Sequence, residues 1–101
     1  MTASFQLHHG DCMDLLPTIP DGSVDMICAD LPYGTTCCQW DKRILMEPLW
    51  RELWRVCKSN AAIVMFAQQP FATDLINSAR RFFRYEWVWV FQLTPPRGGR
   101  R

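Results

Sequence analysis

With 101 residues the chain has room for one small domain, which buries about two-thirds of its unfolded surface on folding. Apolar residues make up 49% and aromatic residues 13%, enough to build a core, which excludes a wholly disordered chain. A formal net charge of +1 supplies no overall pull toward nucleic acid, and the positive charge is local: Arg80, Arg81 and Arg84 cluster, and Arg97, Arg100 and Arg101 close the chain.

Ser4 to His8 alternates and predicts a first short strand, ended by Gly10-Asp11. Asp11 suits the cap of a helix that Cys12 begins and that Pro17 and Pro20 stop early. Asp21-Gly22 is a strong turn signal. Val24 to Ala29 is short, mostly apolar and β-branched at its core, which predicts a strand buried on both faces. Gly34 to Arg43 is a polar loop containing Trp40 and Asp41, longer than the usual βα connection, and loops of that length tend to be functional. A helix is expected over 47–58, with Glu47 and Pro48 in its first turn. Leu49, Leu53, Cys57, Trp50 and Trp54 form its apolar face, Arg55 and Lys58 lie at its negative end, and Ser59-Asn60 suits a left-handed exit. Ala62 to Phe66 predicts a third strand, 71–81 a further helix, and Tyr85 to Phe91 a fourth strand. Alternating β and α elements imply right-handed crossovers and a mainly parallel sheet with helices on both faces, the α/β class.

Cys12, Cys28, Cys37, Cys38 and Cys57 are odd in number and lack C-x-x-C spacing. Adjacent Cys37 and Cys38 chelate poorly, and His8 and His9 point to opposite faces of a strand, so no metal site is expected. Reduced cysteines suit the cytoplasm. No basic region followed by an apolar stretch opens the chain, and the longest apolar run, 61–67, is too short to cross a bilayer, so no membrane partner is expected.

The stretch with most chemistry follows the second strand. Asp30-Leu31-Pro32-Tyr33-Gly34 places an acid and an aromatic ring at the carboxyl end of a strand, where open α/β sheets hold their ligands. The plain alternative is a strand-ending Asp that caps a turn, followed by ordinary loop residues. The wider pattern favours more. Leu7-His8-His9-Gly10-Asp11-Cys12, Leu15-Leu16-Pro17, Pro20-Asp21-Gly22-Ser23-Val24-Asp25 and Asp30-Leu31-Pro32-Tyr33-Gly34 together resemble the opening of the DNA amino-methyltransferases (adenine N6 or cytosine N4) that carry a D-P-P-Y-type motif near the N-terminus, in phage-like or restriction-modification-like form. The likeness continues through Trp40-Asp41, the helix at 49–56, the strand at 62–66 and Tyr85-Glu86-Trp87.

That resemblance implies a partial Rossmann-like, doubly wound sheet, DNA as substrate, adenine N6 favoured, and S-adenosylmethionine as methyl donor. It implies Asp30, Leu31, Pro32 and Tyr33 as the site that holds the amine of a base turned out of the duplex. Asp11 and Asp30 fall where such enzymes contact the donor, though Asp11 reads equally well as a helix cap. Leu31 departs from the commoner proline, a change of little weight where the backbone carbonyl is the working group. A larger departure is the missing Phe-x-Gly-x-Gly loop: Gly98-Gly99 follows Pro95-Pro96-Arg97, with no strand leading in. Residues 1–92 therefore read as the N-terminal, catalytic-motif half of such a domain, 93–101 as a disordered or aberrant tail, and the chain as a truncated or frame-shifted product. Alternatives are an inactive remnant and a methyltransferase of similar fold acting on RNA or protein.

Overall fold

The computed structural model describes residues 3–34, 36, 38–39 and 41–90. Among them the chain is mixed α/β, with three α-helices and a two-stranded parallel sheet. Helix α1 (Cys12–Leu15) is a single turn capped by Asp11, whose Oδ1 accepts the Met13 N–H at 2.9 Å. Pro17 ends it as expected, inside a 3-10 turn over Leu16–Thr18. Asp21-Gly22 makes the turn into strand β1 (Val24–Ala29), with Gly22 at φ 59°.

Helix α2 (Met46–Val56) supplies the long crossover that a parallel strand pair requires. Its buried stripe is Leu49, Trp50, Leu53 and Val56. The stripe is rotated from the expected one: Trp54 is 41% exposed and stacks on Trp50 at 5.4 Å, and Cys57 has left the helix. Cys57 adopts φ −77°, ψ 142° and opens strand β2 (Cys57–Met65) at once. The left-handed exit at Ser59-Asn60 is thus replaced by extended chain, and Lys58 reaches Asp25 at 2.8 Å instead of a helix end. Pairing of Cys57 with Val24 and of Ala62 with Met26 accounts for the change, since a bulge on β2 absorbs the surplus residues.

Helix α3 (Phe71–Ser78) buries Phe71 and Leu75 and is joined to α2 by Trp50 Nε1–H donating to Ser78 Oγ at 2.8 Å. The helix stops before the expected 81, because Ala79 turns to φ −141° and a 3-10 turn over Arg80–Phe82 follows. Leu49, Trp50, Leu53, Phe71 and Leu75 form the core, and Ile27, Ile63 and Met65 of the sheet pack on it. Those three share one face of the pleat. Met26, on the other face, is 56% exposed, so β1 is covered on one face rather than both.

Two expected strands lie outside the sheet. Phe5 and Leu7 are 84% and 89% exposed, and Tyr85 to Val90 are exposed and form no strand among the described residues. A β-rich sequence becomes a strand only by pairing, and among the described residues neither segment joins β1 or β2. Their exposure accompanies a radius of gyration of 17.2 Å, against about 13 Å for a compact domain of this length. Phe91 and the expected tail at 93–101 lie outside the described residues.

Candidate functional site

Because β1 and β2 run parallel, their carboxyl ends meet at one edge, and the Phe66 N–H donates to the Ala29 carbonyl at 3.0 Å just past both. The segments leaving that edge, Asp30 to Tyr33 and Gln68, wall a cleft of about 470 Å³ together with Thr36 and Asp41. All four residues expected to hold an amine therefore share one cavity, and Gln68, three residues past the end of β2, lines it too.

The cleft is braced from below. Tyr33 O–H donates to Asp30 Oδ1 at 3.2 Å, and the Tyr33 ring stacks on Phe71 at 5.2 Å between centroids, 23° from parallel. Phe71 is 1% exposed, and the Arg43 guanidinium lies 5.4 Å from its centroid while bridging to Asp74 at 3.0 Å. The ring of Tyr33 is thus held by a core residue on one face. Partial burial, then the neighbouring Asp30 charge, then the hydrogen bond raise the Tyr33 pKa above its ordinary value, so at neutral pH the phenol keeps its proton and donates it.

Asp41 braces the loop after Tyr33. It is 6% exposed, and its Oδ1 and Oδ2 accept the N–H groups of Gly34 at 3.0 Å and Thr36 at 2.8 Å. Gly34 sits at φ 74°, and any side chain there would collide with Arg43. In the sequence Asp41 stands out only by its place beside Trp40 in the long loop and in the family likeness, and Trp40 lies outside the described residues. A buried carboxylate seven positions from a glycine is a signal that only the fold makes visible.

Asp11 lies elsewhere. It lines a second cleft of about 350 Å³ with Met13, Lys42, Arg43, Ile44, Leu45 and Pro48, and one of its oxygens caps α1. Asp11 and Asp30 thus border different clefts, separated by the loop that carries Asp41, Lys42 and Arg43. The described lining of the first cleft includes two carboxylates, Asp30 and Asp41, the second of them engaged by the Gly34 and Thr36 N–H groups.

Among the described residues no group of three or more His, Cys, Asp or Glu is placed to hold a metal ion. None of their helices is long and apolar enough to cross a membrane. What these elements define is an α/β chain with an acceptor-lined cleft at the carboxyl edge of its sheet. No family model, curated protein or solved structure matches the chain.

Proposed function

We propose that the chain carries the amine-holding site of an S-adenosylmethionine-dependent DNA amino-methyltransferase, adenine N6 favoured over cytosine N4, built on part of a Rossmann-like sheet and working in the cytoplasm. The observation that carries the reading is the joint placement of Asp30, Leu31, Pro32 and Tyr33 around one cleft at the sheet edge, with Tyr33 tied to Asp30. The resemblance of residues 7–34 to the opening of that family adds to it.

An exocyclic amine attacks poorly because its lone pair is delocalised into the base. Two acceptors that take its hydrogens pull the nitrogen toward a tetrahedral form and aim the lone pair. Asp30 supplies one acceptor through its carboxylate and Leu31 a second through its carbonyl. Tyr33, backed by Phe71, presents a ring on which an extruded base stacks, and Pro32 stiffens the segment so that the acceptors need no ordering during reaction. The carboxylate also receives the amine proton as the new N–C bond forms. The Asp30 carboxylate suits the cationic centres of the donor and would hold it, with Asp11 in the neighbouring cleft beside Lys42 and Arg43. When bound, S-adenosylmethionine supplies an electrophilic methyl group on a sulfonium centre.

A second reading, a folded piece that binds a base without turnover, is favoured by the sheet of only two strands among the described residues and by the exposure of Tyr85 to Val90. Incubation of the chain with methyl-labelled donor and mixed-sequence DNA separates the two. Label above a boiled control, lost in Asp30→Ala, supports the enzyme. Base binding that Asp30→Ala abolishes, without label transfer, supports the second reading. Label transfer in Asp30→Ala within tenfold of the parent overturns the role given to Asp30.

A further inference from the structure

The segment after β2 holds two adjacent glutamines with different surroundings. Gln69 Oε1 accepts both the N–H and the Oγ1–H of Thr73, at 3.2 and 2.7 Å, so its amide is committed to the first turn of α3. Gln68 is anchored through its backbone, the carbonyl accepting the Ala72 N–H at 2.8 Å, and the residue lines the cleft of Asp30 and Tyr33 with no hydrogen bond to its amide among the described residues. A neutral primary amide offers donor and acceptor side by side, and it is the only such side chain among the cleft residues.

We infer that Gln68 reads the ring edge of the base, its amide N–H donating to the ring nitrogen beside the exocyclic amine. This rests on the reading of Asp30 as the group that holds the amine. With the amine fixed by acceptors at Asp30 and Leu31, the neighbouring ring atom is left for another lining residue, and Gln68 is the one that follows the second strand. In adenine that atom is N1 and in cytosine N3, both bare acceptors. In guanine the atom beside the amine on this edge is N1–H, a donor. Asp30 and Gln68 together thus specify an amine next to a ring acceptor. A carboxylate in place of the amide would lose its donor and repel that acceptor, while suiting the paired donors of guanine.

The test uses the whole chain and free nucleosides, with binding followed by ligand-observed NMR for the parent, Gln68→Ala, Gln68→Glu and Asp30→Ala. Adenosine is compared with 1-deazaadenosine, which keeps the amine but carries C–H at the ring position, and with purine riboside, which lacks the amine. The parent should prefer adenosine over 1-deazaadenosine by about fivefold, the worth of one neutral hydrogen bond. Gln68→Ala should erase that preference, and Gln68→Glu should weaken adenosine and cytidine relative to guanosine. A preference for adenosine over 1-deazaadenosine that survives in Gln68→Ala overturns the inference, because the residue-by-atom cycle isolates this contact. The reading of Asp30 is tested separately. If Asp30→Ala leaves the preference for adenosine over purine riboside unchanged, the amine site is wrong whatever Gln68 does. Failure of the parent to bind adenosine at all overturns both. The Gln68 side chain is exposed and outside the core, so unchanged circular dichroism is expected for its variants.

Discussion

Tyr33 donates its hydroxyl hydrogen to Asp30 Oδ1 at 3.2 Å, so the carboxylate at the end of β1 is oriented by a residue three positions further along. The bond leaves the second carboxylate oxygen for an amine and fixes the direction in which it points. It also helps to raise the Tyr33 pKa.

Tyr33 should therefore ionise above the ordinary tyrosine value of 10.0, chiefly through its partial burial and secondarily through Asp30. The sign for stability follows: the folded phenol holds its proton more tightly than the unfolded one. Its contribution is full below pH 10 and is lost as pH rises through the folded value. Phenolate absorbance, taken as the difference between the parent and Tyr33→Phe, should show the late ionisation. In Asp30→Ala it should move toward the ordinary value without reaching it. An Asp30→Ala titration that coincides with the parent's would remove Asp30 from the account.

Asp41→Ala leaves the Gly34 and Thr36 N–H groups without their acceptor. Stranding two partly buried donors costs about 2–4 kcal/mol. Asp41→Asn should fall between, since an amide keeps one acceptor but turns a donor toward the second N–H. Denaturant midpoints measure the cost. Hydrogen exchange should quicken first at Gly34 and Thr36, and unchanged exchange there would contradict the brace.

Arg55 is the hub that ties the end of α2 to the segment before β1. Its guanidinium donates to the carbonyls of Leu16 and Ile19, both at 2.9 Å, and pairs with Glu52 and Asp21. The Gly22 N–H returns to the Arg55 carbonyl at 2.9 Å. Arg55→Lys should not rescue what Arg55→Ala loses, because one ammonium cannot reproduce the planar fork that serves four groups. Limited proteolysis reads this directly: cleavage within 16–22 should rise in both variants, and protection in Arg55→Lys equal to the parent's would refute the fork argument.

Leu49 is 1% exposed at the centre of the core. Leu49→Ala should cost about 2–5 kcal/mol through lost burial and the cavity left behind. By contrast, Trp87→Lys with Trp89→Lys should leave the denaturation midpoint nearly unchanged, because both rings are more than three-quarters exposed. Hydrophobic-dye binding and concentration-dependent scattering should both fall in that double variant, since an exposed apolar segment invites association. Scattering equal to the parent's would show that association runs through another surface.

The features legible in the sequence are those decided by a few neighbouring residues. Asp11 as a cap, Pro17 as a stop, Asp21-Gly22 as a turn, β1 ending before Asp30, and a helix carrying Leu49 and Leu53 all follow from local backbone preference and apolar spacing. The meeting of Asp30 with Gln68 also follows, given a parallel pair, because such strands bring their carboxyl ends to one edge. Other features were decided by residues far away in the chain. Cys57 left the helix early because Val24 was there to pair with it, and the segments at 4–8 and 85–90 join no sheet among the described residues. The Tyr33 ring rests on Phe71, thirty-eight positions later, and Asp41 closes a loop on Gly34, contacts for which no spacing rule exists. Local propensity acts within one turn or one strand, whereas a ladder, a ring stack or a buried carboxylate needs its partner delivered by the packing of α2 and α3 against the sheet.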